Sequence, residues 1–478
     1  MATELIVILV LANVFGFYMA WGIGANDVAN AMGTSVGSRA LTLRKAVILA
    51  AILEFSGAFF AGTHVSETVR KGIVDPAIFA GDGMSFMLGM LAALLAAGVW
   101  LQIASYKGWP VSTTHSIVGA VVGFGVAYAG FAAIHWDKVG TIVASWVVSP
   151  LLSGIISFMI FRFLLRHIFA SPHPVRSAKR LAPFLVCFVF TILSLAMLFK
   201  GLKNLKLDLS FPMALAISLG VGILFALISI RLLRFLTEDP DDAGTGAPPA
   251  PDPAVTRGLE KATKHLERAR IAAPGAVKDE VSGVLDSLRQ IRYDATQARD
   301  FRTNTSQYRK VEKLFAYLQI LSACFVAFAH GANDVANSIG PMSAIISVAR
   351  AGGETIAAQA PVPVWVLAVG GLGIVLGLAT WGWRVMLTIG RKITSLTPTR
   401  GFCAEIGAAT TIVLASKLGL PISTTHTLVG AVLGVGLARG ISALNLNTVR
   451  DIAISWVVTI PAGAGLTIVF FYALKMFF

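Results

Sequence analysis

The sequence predicts an all-α polytopic membrane protein, with about 12 transmembrane segments arranged as two inverted repeats with broken helices or hairpins. Three observations carry that prediction. Of 478 residues, 56% are apolar and only 13% are charged, against roughly 25% charged in ordinary soluble domains; mean hydropathy is +0.75. Apolar runs recur along the chain, near the roughly 20 residues a helix needs to cross a bilayer. A set of polar motifs then occurs twice in the same order. The composition alone excludes a soluble enzyme, a disordered chain and a fibrous one. The 46 glycines suit close helix packing and interrupted helices in lipid.

The runs lie at 5–24, 45–63, 83–105, 111–130, 139–161, 181–200, 211–236, 314–331, 361–380, 401–417, 421–438 and 451–477. The shorter and Gly-rich ones are candidates for half-spanning hairpins. Charges then set the sides. Arg39, Arg44 and Lys45 follow the first run, Arg162, Arg166, Arg176, Lys179 and Arg180 the fifth, Arg231 and Arg234 end the seventh, and Arg384, Arg391, Lys392 and Arg400 follow the ninth. If the runs alternate, all four clusters share one side, which should be cytoplasmic. Both termini are then outside and the central loop is cytoplasmic, in a plasma or inner membrane. Lys200, Lys203 and Lys206 fall on the opposite side and count against this orientation. No basic segment precedes the first apolar run, so no cleavable leader is expected.

The formal charge of +14 suggests an anionic polymer as partner until its placement is read. Thr237 to Glu312 holds 12 Lys/Arg and 13 Asp/Glu, leaving 27 basic and 12 acidic residues elsewhere. The excess therefore sits in short loops between apolar runs, and no basic stripe with interleaved aromatics marks a nucleic-acid surface. Cys187, Cys324 and Cys403 lie in apolar runs and read as small buried hydrophobes. The expected organisation is a first repeat at 1–161, two connecting transmembrane helices at 162–236, a cytoplasmic linker with a helical hairpin at 237–312, and a second repeat at 313–478. Within the linker, Leu259, Ala262 and Leu266 share one helical face, and Val281, Val284, Leu285, Leu288 and Ile291 another, on either side of Ala273-Pro274-Gly275.

The duplication is the strongest signal. Gly24-Ala25-Asn26-Asp27-Val28-Ala29-Asn30 returns as Gly331-Ala332-Asn333-Asp334-Val335-Ala336-Asn337. Pro110-Val111-Ser112-Thr113-Thr114-His115 returns as Pro421-Ile422-Ser423-Thr424-Thr425-His426, and Ser145-Trp146-Val147-Val148 as Ser455-Trp456-Val457-Val458. The offsets are 307, 311 and 310. Seven runs separate the starts of the two copies, an odd number, so the copies should be inverted. Inverted repeats with interrupted helices mark secondary transporters, whose sites lie near the midplane where the halves meet.

Each motif has a chemistry. Asn26, Asp27 and Asn30, with Asn333, Asp334 and Asn337, gather carboxylate and amide oxygens at i, i+3 and i+4 spacing. Gly24 permits the backbone to open just before them. Oxygen donors of this kind suit a hard cation such as Na+; the alternative is helix capping. An intramembrane Asp is costly, and two in identical settings favour function. Pro110 and Pro421 look like first-turn prolines ahead of Ser112, Thr113, Thr114 and Ser423, Thr424, Thr425. Helices starting there aim N–H groups and hydroxyls at one spot, an anion site that needs no Arg; plain capping is again the alternative. His115 and His426, with the intramembrane carboxylates Glu54 and Glu405, are candidates for a gate or a coupling role. Gly119 with Gly123 and Gly430 with Gly434 read as packing pairs.

At these motifs the chain resembles the inorganic phosphate transporter (PiT) family, across 1–236 and 313–478. Thr399-Arg400-Gly401-Phe402 with Glu405, and Val69-Arg70-Lys71-Gly72-Ile73 after Glu54, are similar to its sodium-coupled members. The resemblance implies a twelve-span inverted-repeat carrier, homodimeric, moving inorganic phosphate with Na+ or H+ and needing no cofactor beyond the coupling ion. It implies that Asp27, Asn30, Asp334 and Asn337 bind Na+ and contact phosphate, and that the two Ser-Thr-Thr segments hold the phosphate oxygens. The residues themselves leave phosphate and sulfate open. A carboxylate can accept a hydrogen bond from a protonated phosphate oxygen, and sulfate has no such proton, which tilts Asp27 and Asp334 toward phosphate. The expected function is Na+-coupled phosphate import by alternating access, in membrane lipid and without nucleic acid. The alternatives are a proton-coupled phosphate or sulfate permease and, from other classes, a phosphate-sensing receptor or an enzyme acting on a lipid phosphate.

Overall fold

The computed structural model describes residues 2–62, 73–74, 76–79, 81–198, 209–233, 253–272, 274, 277–288, 306–352, 362–417 and 423–478. Val69 to Gly72 and Pro421-Ile422, which the sequence singled out, lie outside them. Among the described residues the chain is helical: α1 (Ala2–Asn26), α2 (Ala29–Gly37), α3 (Leu43–Ala61), α4 (Gly83–Lys107), α5 (Thr113–Ala129), α6 (Trp136–Leu164), α7 (Pro174–Ala196), α8 (Phe211–Leu233), α9 (Pro253–Ala272), α10 (277–288), α11 (Ser306–Asp334), α12 (Ala336–Arg350), α13 (Val364–Lys392), α14 (Pro398–Lys417), α15 (Thr424–Leu437) and α16 (Leu446–Lys475). Among the described residues, eight helical stretches are long and apolar enough to cross a membrane, and α5 and α15 are shorter apolar helices. The chain is a polytopic integral membrane protein.

Residue chemistry explains the element ends. Asp82 caps α4 by accepting from the Ser85 N–H at 3.0 Å, and Gly108 ends α4 in the left-handed region at φ 68°. Thr42 caps α3, and Asn445 caps α16. Pro150 and Pro461 sit inside α6 and α16; such prolines are tolerated where neighbouring helices re-satisfy the backbone. Two π-helical turns interrupt α13, at Leu378–Gly382 and Thr388–Lys392.

By contacts the chain divides into two compact units. The smaller, Arg166–Leu181 and Ile230–Leu314, contains α9 and α10. There Leu285 is buried, and the Tyr308 hydroxyl donates to the Phe169 carbonyl at 2.7 Å.

The larger unit, Met1–Leu165, Ala182–Ser229 and Phe315–Phe478, carries both copies of every motif. Its copies are exchanged: each packs key helices on the other's. In α1, Gly24 lies so close to α13 that a Cβ would overlap the Ile374 carbonyl oxygen, and in α11 a Cβ at Gly331 would overlap that of Glu54 in α3. Gly119 and Gly123 of α5 face Ile460 and Ala464 of α16, while Gly430 and Gly434 of α15 face Pro150 and Gly154 of α6. The small-residue pairs are therefore packing surfaces, where backbones meet and dispersion contacts replace a hydrophobic drive that lipid cannot supply.

Two expectations are corrected here. Gly24 does not open the backbone; it stays helical, and the break falls after it, at Asp27-Val28 between α1 and α2, with its counterpart at Val335. Pro110 is not a first-turn proline. Ser112 is the N-cap of α5, so Pro110 precedes the helix, and its carbonyl accepts from Trp456 Nε1 at 3.1 Å.

Candidate functional site

The two helix breaks and the two Ser-Thr-Thr helix starts meet inside the larger unit. Asp27, Asn30, Asp334 and Asn337 are at most 3% exposed. Asp27 accepts from a hydroxyl of each copy: Thr113 Oγ1 to Oδ2 at 2.5 Å and Thr425 Oγ1 to Oδ1 at 2.7 Å. Asn30 Nδ2 donates to Asp27 Oδ1 at 2.9 Å and crosses to Thr425 Oγ1 at 2.8 Å. Asn337 Nδ2 makes the reverse crossing, to Thr113 Oγ1 at 3.1 Å and Thr114 Oγ1 at 3.3 Å. Thr424 Oγ1 donates to Asp334 Oδ2 at 3.4 Å, and Asn333 Nδ2 to Asp334 Oδ1 at 2.6 Å. Residues far apart in the chain thus form one polar cluster, with separations of 395 and 398 for the Thr425 contacts and 224 and 223 for those of Asn337.

Ser112 and Ser423 cap their helices, accepting from the His115 and His426 N–H groups at 3.2 Å each. The capping that the sequence left as an alternative is real at these two positions. It leaves each hydroxyl proton free to donate elsewhere. Asn26 does different work. Its Nδ2 reaches Ser105 Oγ at 3.1 Å and the Trp109 carbonyl at 2.9 Å, and its Oδ1 accepts from the Val111 N–H at 3.1 Å. It fastens the end of α1 to the segment leading into α5, with one lone pair of its oxygen used by the Val111 N–H.

Glu54 and Glu405 are buried apart from each other's partners. Glu54 faces His330 Nδ1 at 2.8 Å, and the same ring's Nε2 lies 2.7 Å from Asp334 Oδ2 and 4.0 Å from Asp27 Oδ2. Asp27, His330 and Asp334 bring one ligand atom each within 4.8 Å of one another, a cluster that could hold a metal ion. Glu405 accepts from Thr34 Oγ1 at 2.6 Å, Ser35 Oγ at 3.2 Å, Gln319 Nε2 at 3.2 Å and Ser322 Oγ. His115 packs tilted against Trp146, and His426 stacks on Trp456.

His330 was missed by the sequence reading. Its signal was available: an ionisable residue in an apolar run, directly before the repeated heptapeptide, where the first copy has Ile23. A pocket reaches this centre, with Asn30, His330, Asn333, Glu405 and Thr424 on its polar wall and Leu193, Phe325 and Phe328 among its apolar lining.

A carboxylate pair, amide oxygens and helix-start hydroxyls can serve a cation and an anion together. Comparison with known proteins identifies the family. The model of the phosphate transporter family matches residues 23–467. The chain belongs to the phosphate transporter family. One similar protein is the chloroplastic inorganic phosphate transporter 2-1 of Arabidopsis thaliana, 45% identical over 456 residues, which are 95% of this chain and 70% of that one. A solved structure described as the sodium-dependent phosphate transporter is 38% identical, with a TM-score of 0.73, and the match covers 99% of this chain and 100% of that one. As a phosphate transporter family member this chain is a transporter and not an enzyme. The family match covers both copies of the site.

Proposed function

We propose that the chain imports inorganic phosphate coupled to Na+ by alternating access. The reciprocal crossing carries this reading: Asn30 of one copy bonds Thr425 of the other, and Asn337 bonds Thr113 and Thr114 in return. A site shared in this way between two copies is what a carrier with inverted repeats needs at its midplane. Hydroxyls and N–H groups at the starts of α5 and α15 would hold the phosphate oxygens: Ser112, Thr113 and Thr114 with Ser423, Thr424 and Thr425. Asp27, Asn30, Asp334 and Asn337, beside Asn333, would bind Na+, and the two carboxylates would accept a hydrogen bond from a hydrogen phosphate. Cation and anion then offset each other's charge in a low-dielectric site, which couples their movement. The sodium-dependent solved relative supports Na+ as the coupling ion.

The finer architecture follows from the same reading: twelve spans in two inverted repeats at 1–161 and 313–478, connecting helices at 162–236, a cytoplasmic segment at 237–312, both termini outside, and a homodimer. Glu54 and Glu405 would be coupling carboxylates, Glu405 amid three hydroxyls that can turn their lone pairs toward a cation. A second reading is proton coupling, favoured by His330 linking Glu54 to Asp334.

Radiolabelled phosphate uptake into proteoliposomes, with Na+ and pH gradients imposed separately, tests both. Uptake driven by inward Na+ at equal pH is expected. Uptake indifferent to Na+ but driven by a proton gradient would replace the first reading with the second, and uptake of sulfate without phosphate would overturn the substrate.

A further inference from the structure

Trp146, His115, His426 and Trp456 form one continuous ring stack that joins the two copies. Ring centroids lie 3.9 Å apart for Trp146–His115, 4.6 Å for His115–His426 and 3.7 Å for His426–Trp456. The outer contacts are tilted at 38° and stacked at 19°, and the middle one is edge-on at 85°. Each imidazole touches the tryptophan of its own copy and the imidazole of the other. Both histidines are 1% exposed.

The ring faces and edges make the contacts that join the two copies. Among the described residues, His115 Nδ1 has no hydrogen-bond partner, and His426 lies against the backbone and ring of Trp146 as well as the ring of Trp456. Each histidine also sits one turn past its cap, its N–H donating to Ser112 or Ser423. Where the ring is held, the first turn is held. That turn carries the threonine hydroxyls that meet Asp27, Asn30, Asp334 and Asn337. Glycine contacts tie α5 to α16 and α15 to α6 across the copies, and the ring stack closes the same four helices at the end where the anion would sit.

We propose that His115 and His426 are positioning residues of the anion site. The four-ring stack sets the distance and angle between the two Ser-Thr-Thr helix starts, so that hydroxyls from both copies converge on one anion. Convergent sites need their donors held to within about 0.5 Å, and the two starts share no chain connection shorter than some 300 residues. The proposal rests on those helix starts being the anion site. It reassigns both histidines from a gate or coupling role to a structural one that acts on substrate affinity.

The test is phosphate uptake by purified, reconstituted variants, read as KM and Vmax per transporter. His426→Phe and His115→Phe keep a ring and are expected to keep KM within about threefold of wild type. His426→Ala should raise KM on the order of tenfold with Vmax nearly unchanged, since a ring contact is lost and the threonines remain. Trp456→Ala should raise KM similarly, and the two alanine changes together should cost little more than one, because they break the same contact. If His426→Ala fails to reconstitute, His426→Leu fills the space without a ring and should show the same raised KM. Phe variants as impaired as Ala would mean that the nitrogens contact substrate or proton, and Ala and Leu variants with wild-type KM would mean that the stack sets nothing; either overturns the proposal. Failure of the underlying phosphate reading shows separately, as wild-type protein that takes up no phosphate.

Discussion

Asp27 and Asp334 sit in identical heptapeptides yet in different surroundings. Asp27 is held by hydroxyls from both copies, whereas Asp334 lies 2.7 Å from His330 Nε2, whose other nitrogen meets Glu54. The place of that ring in the first copy is filled by Ile23. The site is therefore built from a symmetric motif and one asymmetric partner. Asp27→Asn should cut Na+-driven uptake roughly 30- to 150-fold while leaving folded protein, as expected for losing an interaction with a charged group of roughly 2–3 kcal/mol. Near-normal Na+-driven uptake would remove the ligand role. Thr425→Val leaves Asp27 Oδ1 and Asn30 Nδ2 short of one partner inside the site. Phosphate uptake at low substrate should fall roughly tenfold, the cost of a buried polar group losing its bond; a variant with unchanged KM would place the anion elsewhere.

At the scale of elements, helix starts and close glycine contacts decide where the functional groups point. A residue with a side chain at Gly434 of α15 meets the Gly154 carbonyl of α6. Gly434→Val should cost roughly 1–3 kcal/mol of overpacking, seen as a lower melting temperature in detergent and a smaller monodisperse fraction. Asp82 tests capping away from the site. Burial would raise its carboxyl pKa, but the Ser85 N–H, the Tyr128 hydroxyl at 2.9 Å and the Lys475 charge outweigh that and hold it below its ordinary value. Because the folded pKa is the lower one, its contribution is present above the unfolded value of about 3.9 and is lost as pH falls through the folded value. Asp82→Ala should lower stability by about 1 kcal/mol at neutral pH, and the difference from wild type should shrink in strong acid. A difference constant with pH would point to lost packing instead.

The proposed orientation makes a test for the whole molecule. Met476 and Phe477 near one end are 84% and 85% exposed, and Ile271 in α9 is 83% exposed. In cells, Phe477→Cys should react with a membrane-impermeant thiol reagent added outside, and Ile271→Cys only after permeabilisation; the reverse pattern inverts the topology. Much of this protein was legible in its residues. Low charge and recurring apolar runs specify a helical polytopic chain, because a bilayer leaves the backbone no other partner but itself. Duplicated Asp, Asn, Ser and Thr in apolar surroundings marked the polar cluster, because such groups are too costly in lipid to be idle. Two copies of a motif say nothing, however, about which hydroxyl meets which carboxylate. The exchange of helices between copies, the Thr425–Asp27 and Asn337–Thr113 crossings, the bracing contacts of Asn26 and the gathering of four rings into one cluster were decided by the tertiary structure alone. Sequence periodicity reports the face of a single helix. Contacts between residues hundreds of positions apart depend on how backbones approach, and here glycines set that approach.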